Sequence, residues 1–113
     1  RMGLGDVSSK SVPKMILVAS PLAGGSFMTR SFIPHRCHDT IGVFAAISAA
    51  TAALLPDSVL AEIAVIPDDN DKTMMVEHPG GSTACILRTD ADGAVTGSGM
   101  LRTTRKLFDG EIF

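Results

Sequence analysis

The feature that most limits what this chain can fold into is the stretch from Asp39 to Leu55, where Ile41, Val43, Phe44, Ile47, Leu54 and Leu55 are interleaved with alanines and no polar face is left. A helix on a protein surface keeps one side polar, so this pattern predicts a helix of about 39–55 that is buried all round. At about 1.5 Å per residue it measures about 24 Å, short of the ~30 Å hydrocarbon core of a bilayer. Ser48 and Thr51 also interrupt it. Enclosure by protein is therefore expected over insertion into a membrane. Alanine on several faces lets surrounding backbone approach closely, which suits a curved sheet wrapped around the helix. Asp39 or Thr40 is expected to cap its start, and Pro56 follows its end.

The flanking segments read as strands. Met15–Ala19 is short and continuously apolar, as expected of a strand covered on both faces. Phe27–Ile33 alternates, with Phe27, Thr29, Ser31 and Ile33 on one face and Met28, Arg30 and Phe32 on the other, until Pro34 ends it. Spacing over Pro56–Ala64 suggests a short helix. The acidic run 67–72 reads as a solvated loop, because it lacks the spacing, glycine and terminal Glu of a calcium-binding loop. Thr73–His78 and Ser82–Thr89 are expected to pair about the turn Pro79-Gly80-Gly81. Asp90-Ala91-Asp92-Gly93 then turns the chain into a further strand, Ala94–Thr104, which the tail 105–113 extends. Gly97 and Gly99 mark a bulge or a close backbone approach. The Gly- and Ser-rich residues 1–13 form a lead-in arm or linker, and 14–113 one domain. The expected class is α+β: a mostly antiparallel sheet curved around a central helix.

Composition excludes several functions. With 19% charged residues, a net charge of −2 and neither Trp nor Tyr, the chain lacks the basic surface and stacking platforms of a nucleic-acid binder. Its 45% apolar content is that of an ordinary globular domain rather than a disordered one. Two cysteines, Cys37 and Cys85, without a signal-peptide pattern point to free thiols and a cytoplasmic location.

Polarity concentrates where the second strand delivers the chain, through Pro34-His35-Arg36-Cys37-His38, to the start of the apolar helix. A helix N-terminus presents free amides and positive potential, which favour carboxylates and lower a thiol's pKa. Arg30 and Arg36 each offer a guanidinium to an anionic substrate, and His35 or His38 offers an imidazole that can exchange a proton with it. Cys37 is then placed to exchange a proton with carbon or to contact substrate. The plainer alternative is a small buried thiol flanked by surface histidines. Zinc is the third reading, but three ligand types within four residues cannot readily close a tetrahedral shell. Cys85, in an alternating strand, reads as core, and His78 as a turn residue.

Taken together, Ser11-Val12-Pro13-Lys14, the run Thr29-Arg30-Ser31-Phe32-Ile33-Pro34-His35-Arg36-Cys37-His38, the helix start Ile41-Gly42-Val43, Glu77-His78-Pro79-Gly80-Gly81 and Arg102-Thr103-Thr104-Arg105-Lys106-Leu107-Phe108-Asp109-Gly110 resemble the C-terminal half of the PrpF family. The resemblance covers nearly the whole chain, and the run from Arg30 to His38 is its specific part. It implies a diaminopimelate epimerase-like fold of two similar domains, each a barrel-like sheet around a central helix, with substrate in the cleft between two helix N-termini. It also implies proton transfer without a cofactor or metal, shifting a double bond in an unsaturated di- or tricarboxylic acid. Cys37 then resembles the C-terminal member of a pair of acid/base groups, with Arg30, Ser31, His35, Arg36, His38 and Thr40 binding substrate. Where the epimerases follow that cysteine with a Gly-rich turn, this chain has His38-Asp39-Thr40-Ile41, which puts the proton-transfer role of Cys37 in question. On this reading the N-terminal domain is missing, the chain alone is inactive, and its partners are that domain, a small anionic acid and a second copy in a homodimer. A non-catalytic binding or assembly module is the alternative.

Overall fold

Strict alternation of buried and half-buried residues along Phe27–Phe32 makes one face of this segment a core face and sets the register of everything around it. The computed structural model describes residues 2–33 and 35–113. In chain order its elements are β1 (Met15–Ala19), β2 (Phe27–Phe32), α1 (Val43–Ala52), β3 (Asp71–His78), β4 (Gly81–Thr89) and β5 (Val95–Met100). They form one five-stranded sheet in the order β1-β2-β3-β4-β5. Neighbours pair antiparallel except β2 and β3, which run parallel over Phe27↔Val76 and Met28↔Glu77. A parallel pair needs a crossover, and the segment between these strands supplies it with α1. The sheet is thus mixed and mostly antiparallel, and with one helix among the described residues the class is α+β.

Register divides the sheet into two faces. Phe27, Thr29, Ser31, Met74, Val76, Thr83, Cys85 and Leu87 are buried on the face that α1 covers, where the helix contacts β3, β4 and β5. Ala46, Ala49, Ala50 and the C-cap Ala53 meet them at a spacing of three and four residues, so they form one stripe along the helix. Small side chains on that stripe let the helix backbone lie close to the strands. Full burial of Phe27, Met74 and Leu87 contributes about 1.5–3 kcal/mol each.

Several expectations are corrected. The helix is shorter than 39–55 and is not enclosed: Phe44 is 86% exposed, because the buried stripe is alanine and the large apolar groups lie on the other side. Neither Asp39 nor Thr40 caps it; Gly42 is the N-cap and no side chain bonds there. Nor does the sheet wrap the helix as a barrel, since β1 and β5 are its two edges. β1 is an edge strand instead of one covered on both faces, with Met15 and Leu17 on the face opposite α1 and exposed.

Residues 56–64 form successive turns instead of a short helix. Ser58, Ala61 and Ile63 amides bond three residues back, and the Ser58 hydroxyl takes the Leu60 amide, competing with helical pairing. β5 ends at Met100, and residues 101–113 are exposed and add no strand, because their apolar groups find nothing to pack on among the described residues. Pro34, expected to end β2, lies outside the described residues. The turns held as expected: Gly93 has φ +82°, and a register shift opposite Arg88 and Thr89 falls beside Gly97. No helix among the described residues is long and apolar enough to cross a membrane.

Candidate functional site

After Phe32 the chain reverses within a few residues. The Ile33 amide donates to the Arg36 carbonyl at 3.3 Å, an isolated antiparallel bridge joins Phe32 to Cys37, and the His38 amide donates to the Ser31 carbonyl at 2.9 Å. This reversal holds Cys37 beside the end of β2, half-buried, with Sγ 3.7 Å from the His38 carbonyl. His38, Asp39 and Thr40 then lead, exposed, to Ile41, which is buried in the core and anchors the approach to α1.

Backbone contacts thus bring Ser31, Cys37 and His38 together. Ser31 itself is buried, facing the helix. Arg30, one residue earlier, lies on the opposite face of the strand by the pleat, paired in register with Leu17, and its guanidinium donates to the Thr29 carbonyl at 3.1 Å. The two cannot present side chains to one spot from this strand. Arg36 and Thr40 are exposed. His35 turns to the lead-in arm, where Nε2 donates to the Ser8 carbonyl at 2.9 Å. Among the described residues no three His, Cys, Asp or Glu side chains cluster as metal ligands would.

Three residues that the sequence left outside the site, Asp39, His78 and Glu77, fix the chain around it. Asp39 is fixed by its carbonyl instead of its carboxylate: that oxygen accepts the Gly80 amide at 2.6 Å and His78 Nδ1–H at 3.0 Å. His78 is therefore a buried bridge, with Nε2 3.1 Å from the Thr83 hydroxyl, and not merely a turn residue. Glu77 beside it is 3% exposed, and its carboxylate accepts the amides of Leu22, Ala23 and Gly25 at 2.7–2.9 Å. The Leu22 amide foremost holds its pKa below the ordinary 4.5; burial opposes this, and the Gly25 and Ala23 amides reinforce it. A charge in a strand otherwise reading Met74-Met75-Val76 was the available signal.

The loop that Glu77 fastens forms one wall of a cleft of about 330 Å³, lined also by Met28, Met75, His78 and Pro79. Gly25 is required there, because a Cβ would stand 2.8 Å from the Met75 carbonyl oxygen. Cys85, by contrast, is fully buried under α1, and burial pushes its thiol pKa up, which leaves it inert as the core reading expects.

A family model described as PrpF protein matches residues 1–113. The chain is 55% identical over 112 residues to a (4E)-oxalomesaconate Delta-isomerase of Novosphingobium, covering 99% of this chain and 31% of that protein. It is 47% identical over 112 residues to a 4-oxalomesaconate tautomerase of Pseudomonas putida, again covering 99% and 31%. The chain therefore spans about a third of the length of these relatives. Its fold is similar to the crystal structure of a methylitaconate-delta-isomerase, with a TM-score of 0.67, 18% identity, and coverage of 83% of this chain and 29% of the other.

Proposed function

The chain belongs to the PrpF family, and on that premise we propose that it is the C-terminal portion of an isomerase acting on an unsaturated di- or tricarboxylic acid of the oxalomesaconate type. The observation that carries the reading is identity of 55% and 47%, across essentially the whole chain, to two proteins named for that compound. The sheet with its one-sided helix then corresponds to one half of a diaminopimelate epimerase-like pair of domains, and the substrate sits where the two halves face each other.

On this side of the cleft, Cys37 and the exposed residues Arg36, His38 and Thr40 ahead of the uncapped start of α1 meet the acid. Their chemistry suits an anion: a guanidinium pairs with carboxylate, and the positive end of a helix adds to it. In the reaction a base takes a proton from a carbon flanking the double bond. The C–H electron pair becomes the new double bond, and the old one accepts a proton at its far carbon. The sum of atoms is unchanged, so nothing is oxidised. Cys37 contacts substrate at this step or carries the returning proton. Ser31 contributes through its carbonyl, which holds the His38 amide, and not through its buried side chain, while Arg30 and His35 act from the rim. The companion domain supplies the second acid/base group, so the 113-residue chain by itself is inactive.

The test is turnover of oxalomesaconate-type and aconitate-type acids by the full-length protein, with Cys37→Ser and Arg36→Ala compared to wild type. Loss of kcat in the first and a raised KM in the second are expected. Unchanged kinetics in both would remove this site, and tight binding of the acids by the isolated chain without turnover by the full-length protein would favour a binding module.

A further inference from the structure

His78 is a buried titratable side chain that the chemistry above does not use. It ends β3, is 9% exposed, and has both ring nitrogens engaged. A carbonyl oxygen can only accept, so the contact of Nδ1 with the Asp39 carbonyl requires the proton on Nδ1; the neutral ring's Nε2 then accepts the Thr83 hydroxyl. The same Asp39 oxygen takes the Gly80 amide, so the β3–β4 turn grips the chain at one atom from two directions.

That atom lies two residues beyond Cys37 and three before the N-cap Gly42. On its other side the stretch is tied to β2 through His38 N–H and the Ser31 carbonyl. Residues 37–39, otherwise exposed or half-buried and lacking regular structure of their own, are thus bracketed by β2 and by the β3–β4 turn. Removing one bracket frees the segment that carries the reactive groups, and a displacement of about 1 Å at a reacting group costs on the order of a hundredfold in rate.

We propose that His78 is a positioning residue for the Cys37–Thr40 segment, acting through Nδ1–H on the Asp39 carbonyl. Its effect on turnover rests on the function proposed above; its effect on the placement of Cys37 does not. The test uses the full-length protein with His78→Asn, whose amide NH2 falls near the place of Nδ1, and His78→Gln, whose amide falls near the place of Nε2. Turnover of an oxalomesaconate-type acid is read beside the alkylation rate of Cys37 by iodoacetamide, followed at that residue by peptide mass spectrometry. His78→Asn is expected to stay near wild type in both. His78→Gln is expected to lose about tenfold or more in kcat with little change in KM, and to shift the alkylation rate severalfold. Wild-type values for His78→Gln in both readouts would overturn the proposal. Equal losses in the two variants would overturn it too, by assigning His78 to packing. If the wild type turns over none of these acids while alkylation still separates the two variants, the proposed function falls and the positioning role stands.

Discussion

Replacing Gly80 by alanine tests the docking of the site segment directly. The new Cβ would stand 2.8 Å from the Asp39 carbonyl oxygen and 3.6 Å from its carbon, both backbone atoms with no side-chain freedom to yield. Ordinary contact begins near 3.4 Å, so the carbonyl must retreat by about 0.6 Å. The Gly80 amide bond, 2.6 Å long, would stretch to the edge of useful geometry, and the His78 bond at 3.0 Å would distort with it. Overpacking of this kind costs about 1–3 kcal/mol, and two weakened hydrogen bonds of about 0.5–1.5 kcal/mol each fall within the same range, not on top of it. We expect a loss of about 2 kcal/mol in urea denaturation with an unchanged m value. Gly99→Ala is the control: it lies in β5 with nothing within 4 Å of its Cβ. There alanine should be neutral or stabilising by up to about 1 kcal/mol, since it loses less backbone entropy on folding. Coincident denaturation midpoints for the two variants would refute the claim that the β3–β4 turn grips Asp39.

Other measurements follow from the same geometry. Leu87→Ala should cost about 2–5 kcal/mol by thermal or urea unfolding, because a fully buried side chain under α1 leaves a cavity. A thiol reagent should titrate Cys37 in the native chain and both Cys37 and Cys85 only after unfolding; equal rates in the native state would contradict the burial of Cys85. Glu77 has a folded-state pKa below its ordinary 4.5, so the unfolded chain binds the proton more readily. Its stabilisation is complete above that value and disappears as pH falls through the folded pKa. Glu77→Gln should therefore flatten the acid limb of the stability profile, and an unaltered limb would show that the loop bonds are not made in solution.

The period-two pattern of Phe27–Ile33, the turns at Pro79-Gly80 and Gly93, and the burial of Cys85 were legible because each follows from local stereochemistry or a neighbour-to-neighbour alternation. Helix α1 was legible in kind but not in its surroundings. A run without polar residues says that water is not sought on any side, yet which side is covered depends on where the strands lie, and only the alanine stripe met the sheet. The edge position of Met15–Ala19 is hidden for the same reason: an apolar pentapeptide looks alike in the centre and at the edge of a sheet.

By itself, then, the sequence determined the α+β class, the boundaries of the first four strands to within about two residues, and the concentration of polar groups between β2 and α1, all of which rest on contacts between near neighbours in the chain. Tertiary structure alone decided that Glu77 fastens the loop around Gly25, and that His78 and Gly80 hold the Asp39 carbonyl. Those pairings join residues about 40 to 55 positions apart, and nothing in local propensity or spacing encodes which distant donor will meet a given carbonyl.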